Sequence, residues 1–210
     1  MGETLGKREL NRLQRLQDLQ DAGLELFLTR GIEPVTIDEL AKAGGMAKGN
    51  FYRYFADKGA LVGALMVPVA RRVRRVMRRC SIDVGRAKTT SELTQAYVTM
   101  ALGLASIGQK HPRIVQLYLQ ENRTPATPTT ESVRQLHVEM REGAVSLTEL
   151  AVDHGLLRVP DARVSALAVI GAVEGLALSV VRGELDTPPQ HIAAIVIGMV
   201  MEGIRATSAE

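Results

Sequence analysis

Residues 36–58 read Thr-Ile-Asp-Glu-Leu-Ala-Lys-Ala-Gly-Gly-Met-Ala-Lys-Gly-Asn-Phe-Tyr-Arg-Tyr-Phe-Ala-Asp-Lys. Thr36 with Glu39 three residues on is the pattern of a capping box, which opens a helix by satisfying two of its free N–H groups. Leu40, Ala41 and Ala43 carry that helix forward, and Gly44-Gly45 stops it. A second short helix over residues 47–54 follows at once. Two short helices on a tight glycine turn predict a helix-turn-helix, whose second helix fits a DNA major groove about 12 Å wide.

The side chains on the second helix suit that task. Phe51 and Phe55 are four residues apart, so they share one face and pack inward. Arg53 then points away from them. Lys48 and Asn50 can reach phosphates or base edges, and Tyr52 and Tyr54 offer hydroxyls to phosphates. Gly49 has no side chain to keep a DNA backbone at a distance. Lys58 falls in the first turn of the following helix, where backbone N–H groups also hold phosphate.

Working outward, Leu10, Leu13, Leu16, Leu19, Ala22, Leu26 and Phe27 recur at helical spacing, which predicts a helix closed by Gly31. Asp57 caps a fourth helix to about Cys80. Thr89 and Glu92 repeat the capping-box pattern and open a fifth, to about Gln109. Pro112 starts a sixth, ending near Asn122. Helices from Glu131 to His154, from Asp161 to Arg182 and from Thr187-Pro188 to about Ala206 complete an all-α chain of about nine helices with no convincing strand.

Composition excludes several classes. Of 210 residues, 46% are apolar and 23% charged, which is ordinary for a globular chain and not for a disordered one. One cysteine rules out a disulfide framework and a multi-cysteine zinc site. Aromatics are 3% of the chain, so bulk comes from aliphatic residues, which favours helices. His111, His137, His154 and His191 are too far apart in sequence to form a local metal pair, and no nucleophile or phosphate-loop motif stands anywhere. The expectation is therefore no enzyme, no metal and no cofactor. Residues 1–20 lack an apolar signal region, which predicts a cytoplasmic protein. Residues 164–181 are apolar, but Glu174 sits among them, and the expectation is a buried helix rather than a membrane span.

Net charge is +3, unevenly spread: residues 1–80 hold 15 Lys/Arg and 9 Asp/Glu, and the remainder is slightly acidic. A basic first third points to a polyanionic partner for that part alone.

Ala22, Leu26-Phe27, Gly31, Thr36, Leu40-Ala41-x-Ala43-Gly44 and Lys48-Gly49-Asn50-Phe51-Tyr52-Arg53-Tyr54-Phe55-x-x-Lys58-x-x-Leu61 resemble the TetR family of bacterial transcriptional regulators. The resemblance covers roughly residues 10–65. It implies an N-terminal three-helix DNA-binding domain, residues 1–56, and a larger helical domain for ligand binding and dimerisation, residues 57–210. It further implies a homodimer, usually a repressor released from a double-stranded operator by a small-molecule effector. By position, DNA contact falls on Thr36, Lys48, Gly49, Tyr52, Tyr54 and Lys58, with Asn50 and Arg53 as base readers. Two positions depart from the family pattern. Ala47 stands where Ser or Thr is common, and Gly59 where Glu is usual.

Three further features are legible. Residues 71–79 carry six arginines in nine positions around an apolar stripe, which reads as a solvated face, a field toward DNA, or a rim for an anionic ligand. The helices over residues 164–181 and 192–204 are apolar nearly all round and rich in small residues. They predict a dimer interface that uses Ala168, Gly171, Ala172, Gly175, Ile192, Ile195 and Met199, with an intrachain core as the other reading. The expected effector pocket, for an apolar or amphipathic molecule, is drawn from the fourth to eighth helices. It takes Met66, Val73, Met77, Met100, Leu104, Leu117, Tyr118, Met140 and Ile170, with Glu121, His137 and Glu174 as polar groups.

Two other functions fit the same residues. One is a dimeric binding module of this fold that no longer uses its DNA surface and acts through a protein partner, a reading to which Ala47 lends support. The other is a small helical enzyme, which the lack of any catalytic constellation disfavours.

Overall fold

The structure, a computed structural model, describes residues 6–202. Among the described residues there are nine helices and no strand. They are α1 Lys7–Arg30, α2 Ile37–Ala43, α3 Lys48–Phe51, α4 Lys58–Arg86, α5 Thr90–Lys110, α6 Pro112–Glu121, α7 Glu131–Asp153, α8 Ala162–Val181 and α9 Pro189–Glu202. The expected end of the last helix at Ala206 lies outside the described residues.

The sequence signals act as local chemistry predicts. Thr36 accepts from the Glu39 N–H while the Glu39 carboxylate accepts from the Thr36 N–H, closing the box at α2. Asp57 accepts from Ala60 N–H and Asp161 from Val164 N–H, at 2.7 and 2.8 Å. At α5 only half of the expected box forms. Thr89 caps Glu92, but the Glu92 carboxylate takes the Lys88 N–H instead of that of Thr89. Helix α4 runs past the expected stop near Cys80 to Arg86. Arg79 and Asp83 pair across that turn, and Val84 is fully buried, so the extra turn is both bridged and packed.

The chain divides into two compact units. The first holds residues 1–68 and 116–135, the second residues 69–115 and 136–210. Leu19, Phe27, Ile32, Val35, Leu40, Phe51, Leu61 and Val62 are sealed in the core of the first. A Cβ on Gly23 would stand 2.9 Å from Leu61 and 3.4 Å from Leu40, so a glycine in α1 lets α2 and α4 close in. In the second unit Cys80, Val84, Ala87, Leu93, Ala96, Leu147 and Ala151 form a cluster from α4, α5 and α7, with Met77, Tyr97 and Met100 packed on it.

Helix α8 departs from expectation. By length and composition it is apolar enough to cross a membrane, yet the single chain buries only Ala166 and Glu174 of it. The expectation of a buried helix is not met by the single chain: most of its apolar surface is left partly or fully uncovered, which corrects the reading as an intrachain core alone.

Candidate nucleic-acid interface

The turn between α2 and α3 is a Schellman motif. Met46 N–H bonds to Ala41 C=O at 2.9 Å and Gly45 N–H to Lys42 C=O at 3.1 Å. Gly45 has φ +66°, which a side chain would strain. Gly44 is buried, and a Cβ there would stand 3.0 Å from the Leu19 side chain and 3.3 Å from its Cα. The pair of glycines thus turns α3 back on α2 and sets the turn itself against α1. Arg15 of α1 adds a bond to the Gly45 carbonyl at 3.3 Å. No spacing in the sequence signals this contact, because its partners are thirty residues apart.

Helix α3 is shorter than the predicted 47–54. Regular helix covers Lys48–Phe51, and Arg53 and Tyr54 continue it as turns bonded three residues back, to Asn50 and Phe51. Ala47 at its N-cap has no side chain to accept a backbone N–H. Phe51 and Phe55 are both buried, with ring centroids 5.9 Å apart, and they anchor the segment. Opposite them, Lys48, Gly49, Asn50, Tyr52 and Arg53 are all exposed, and Tyr54 is half-buried. A Cβ on Gly49 would meet nothing within 4 Å, so the fold itself does not require glycine there. Lys48 lies 4.0 Å from Asp38 of α2, a long and solvated pair. Thr36 is exposed at the start of α2.

Lys58 is placed differently from the other expected DNA contacts. Its side chain is 14% exposed, and its ammonium donates to the carbonyls of Ile32, Glu33 and Val35, with Glu33 carboxylate 3.6 Å away. All three N–H groups are committed within the protein, leaving none for a phosphate. The α2 cap carries the strongest electrostatic perturbation of this region. Glu39 is held down to about 2 by the Thr36 N–H first, then by the Arg30 guanidinium at 2.7 Å and the Thr36 hydroxyl.

The twelve expected pocket residues divide between the units. Met66, Leu117, Tyr118 and Glu121 fall in the first, and Val73, Met77, Met100, Leu104, His137, Met140, Ile170 and Glu174 in the second. Glu121 turns to the loop before α2 and accepts the Ile32 N–H at 3.0 Å. His137 Nδ1 and Glu174 Oε1 are 3.2 Å apart, joining α7 to α8 through a largely buried pair. Two open depressions mark the second unit, one beside Arg79, Asp83, Arg86 and Thr99, the other around Val152, Leu157 and Pro160. Neither is lined by any of the twelve.

In the arginine run, Arg74 holds Glu139 with two bonds, at 2.7 and 3.0 Å, and Arg79 holds Asp83, so part of that face is spent on neighbours. Of the expected dimer residues, Ala168, Gly171, Ala172, Ile195 and Met199 are exposed, and Gly175 and Ile192 are half-buried. With Val164 at 64% exposure they make one small-residue stripe along α8 beside an exposed edge of α9. Gly171 and Gly175 have nothing within 4 Å of a Cβ.

Residues 19–65, which span this interface, match the family described as bacterial regulatory proteins, tetR family. Over this segment the chain is similar to that family. The HTH-type transcriptional regulator YwcC of Bacillus subtilis is 33% identical over 52 residues, which are 25% of this chain and 23% of that one. The match thus spans about a quarter of the length of the curated relatives. Among solved structures, the regulator FadR of Bacillus subtilis, solved with stearoyl-CoA, superposes with a TM-score of 0.67 at 15% identity, covering 90% of this chain and 99% of that one. NalD of Pseudomonas aeruginosa, a secondary repressor of the MexAB-OprM efflux pump, gives 0.69 at 18%, covering 92% and 96%. At such identities the likeness is one of fold alone, and it runs over nearly the whole chain.

Proposed function

We propose that this protein is a ligand-responsive, DNA-binding transcriptional regulator, acting in the cytoplasm as a homodimeric repressor. The observation that carries the reading is the two-sidedness of residues 47–55: two phenylalanines locked into the core, and Lys48, Gly49, Asn50, Tyr52 and Arg53 facing outward together. Such a helix offers cations and hydroxyls to phosphates, and Asn50 and Arg53 to base edges. Thr36 and Tyr54 flank that surface. Residues 1–56 serve as the reading domain and 57–210 as the effector and dimerisation domain.

The exposed stripe on α8 and α9 supports pairing with a second copy, because small residues without neighbours let two helices approach closely. Two reading helices then address half-sites about one helical turn apart. The effector is assigned to the second unit, whose apolar core takes in Met77 and Met100 and which also holds the His137–Glu174 pair, a composition suited to an apolar or amphipathic molecule. FadR of Bacillus subtilis, with the same fold, was solved with such an amphipathic molecule.

The test is a titration of the purified protein against its own upstream intergenic DNA, with a scrambled duplex as control, at two salt concentrations. Tight binding to the upstream DNA, weakening steeply with salt, is the expected result. No binding to either duplex overturns the reading and favours a protein partner on the same fold.

A further inference from the structure

The loop between α1 and α2 is gripped from both of its hydrogen-bonding sides by charged residues far away in sequence. Its carbonyls at Ile32, Glu33 and Val35 take the Lys58 ammonium. Its N–H at Ile32 is taken by Glu121, the last residue of α6. Glu121 is 8% exposed, and its carboxylate Oε1 lies 3.0 Å from the Ile32 nitrogen, 89 positions away. A Cβ on Gly31 would stand 3.4 Å from that oxygen, so the chain is kept slim where the carboxylate arrives. The second oxygen accepts from the Thr124 hydroxyl at 3.4 Å, and the Thr127 hydroxyl bonds to Glu33. A buried carboxylate is costly unless its oxygens are satisfied, and here one is spent on a single backbone N–H. That N–H lies four residues before Thr36, the cap that starts α2.

We propose that Glu121 is a positioning residue for the helix-turn-helix: by holding the Ile32 N–H it fixes the 31–35 loop and so the presentation of α2 and α3. The inference rests on the DNA-binding reading and adds to it the residue that holds the loop before α2.

The experiment uses the full chain, wild type, Glu121→Leu and Glu121→Gln. Three readings are taken: amide hydrogen exchange resolved at Ile32, affinity for the upstream duplex well below the melting temperature, and the melting temperature itself. In the wild type the Ile32 amide is protected. In Glu121→Leu it exchanges about tenfold or more faster, the scale of a lost charge-assisted bond, while the amides of α1 are unchanged. Duplex affinity falls with it, and Glu121→Gln, which keeps a carbonyl acceptor, restores both. A purely structural role would lower the melting temperature and leave the affinity of the folded protein unchanged, which overturns the proposal. So does an Ile32 amide that exchanges freely in the wild type, a reading that needs no variant to fold. A wild type that binds no duplex defeats the DNA reading instead, and the exchange data still decide whether Glu121 holds the loop.

Discussion

The Lys58 ammonium stands 2.8 Å from the Ile32 carbonyl oxygen, and the same nitrogen also serves Glu33 and Val35. Three donors meet three acceptors at the junction of α1, α2 and α4. Lys58→Met removes all three bonds and is expected to cost about 1.5–3 kcal/mol of stability, the range for bonds to a charged group. Denaturant melts read that loss. The salt dependence of duplex binding is expected to stay as it is, since Lys58 has no donor left for a phosphate. A variant of normal stability whose salt slope falls by about 1 would place Lys58 on DNA instead.

Gly49 separates folding from binding. A Cβ there meets nothing in the protein, and alanine in a helix is favoured over glycine by about 0.5–1 kcal/mol. Gly49→Ala is therefore expected to melt no lower than the wild type, yet to bind the upstream duplex more weakly, because the added methyl lies on the presented face. Equal affinity for the two proteins would show that DNA does not approach position 49.

Glu39 makes the start of α2 acid-sensitive. Its carboxyl is held down to about 2, chiefly by the Thr36 N–H and then by Arg30 and the Thr36 hydroxyl. The folded state thus binds this proton less readily than the unfolded chain, whose carboxyl titrates near 4.5. The contribution is complete above that value and is lost as pH falls toward 2. Denaturant melts between pH 6 and about 2.5 should show a decline that Glu39→Gln flattens; parallel curves for the two proteins would refute the assignment.

Cys80 is expected to be chemically silent. Burial pushes its thiol up to about 12, with the charge of Asp83 adding to the effect, and its Sγ lies 3.8 Å from the Ala96 carbonyl. At neutral pH it carries almost no thiolate, the form that reacts. An aromatic disulfide reagent should label the native protein only at the rate of unfolding and the denatured protein at once. Rapid stoichiometric labelling of the native state would contradict the packing of α4 against α5.

Four of the helices were readable because each begins with a cap whose bond is local. Thr36, Asp57, Thr89 and Asp161 accept from residues only three positions ahead. The two-faced character of residues 47–55 was readable for the same reason, since Phe51 and Phe55 share a face by geometry alone. What escaped is long-range. Nothing near Lys58 announces that its ammonium folds back onto the 31–35 loop, and nothing near Glu121 announces Ile32, because both bonds depend on how distant helices meet. The shortening of α3 could have been suspected from Ala47, which leaves its first turn uncapped. The apolar circumference of α8 was plain, and with it both readings, a dimer interface or an intrachain core; the single chain buries only Ala166 and Glu174 of it.

The chain contains no tryptophan and four tyrosines, and two of the four, Tyr52 and Tyr54, flank Arg53 on the reading segment. The ultraviolet emission of this protein is therefore tyrosine emission, and half of its emitters stand where a partner would settle. Tyr118 is buried and Tyr97 half-buried against the second unit's core, and both lie apart from that segment in sequence. An unlabelled sample thus carries its own optical reporter of whether the 47–54 surface is open or covered.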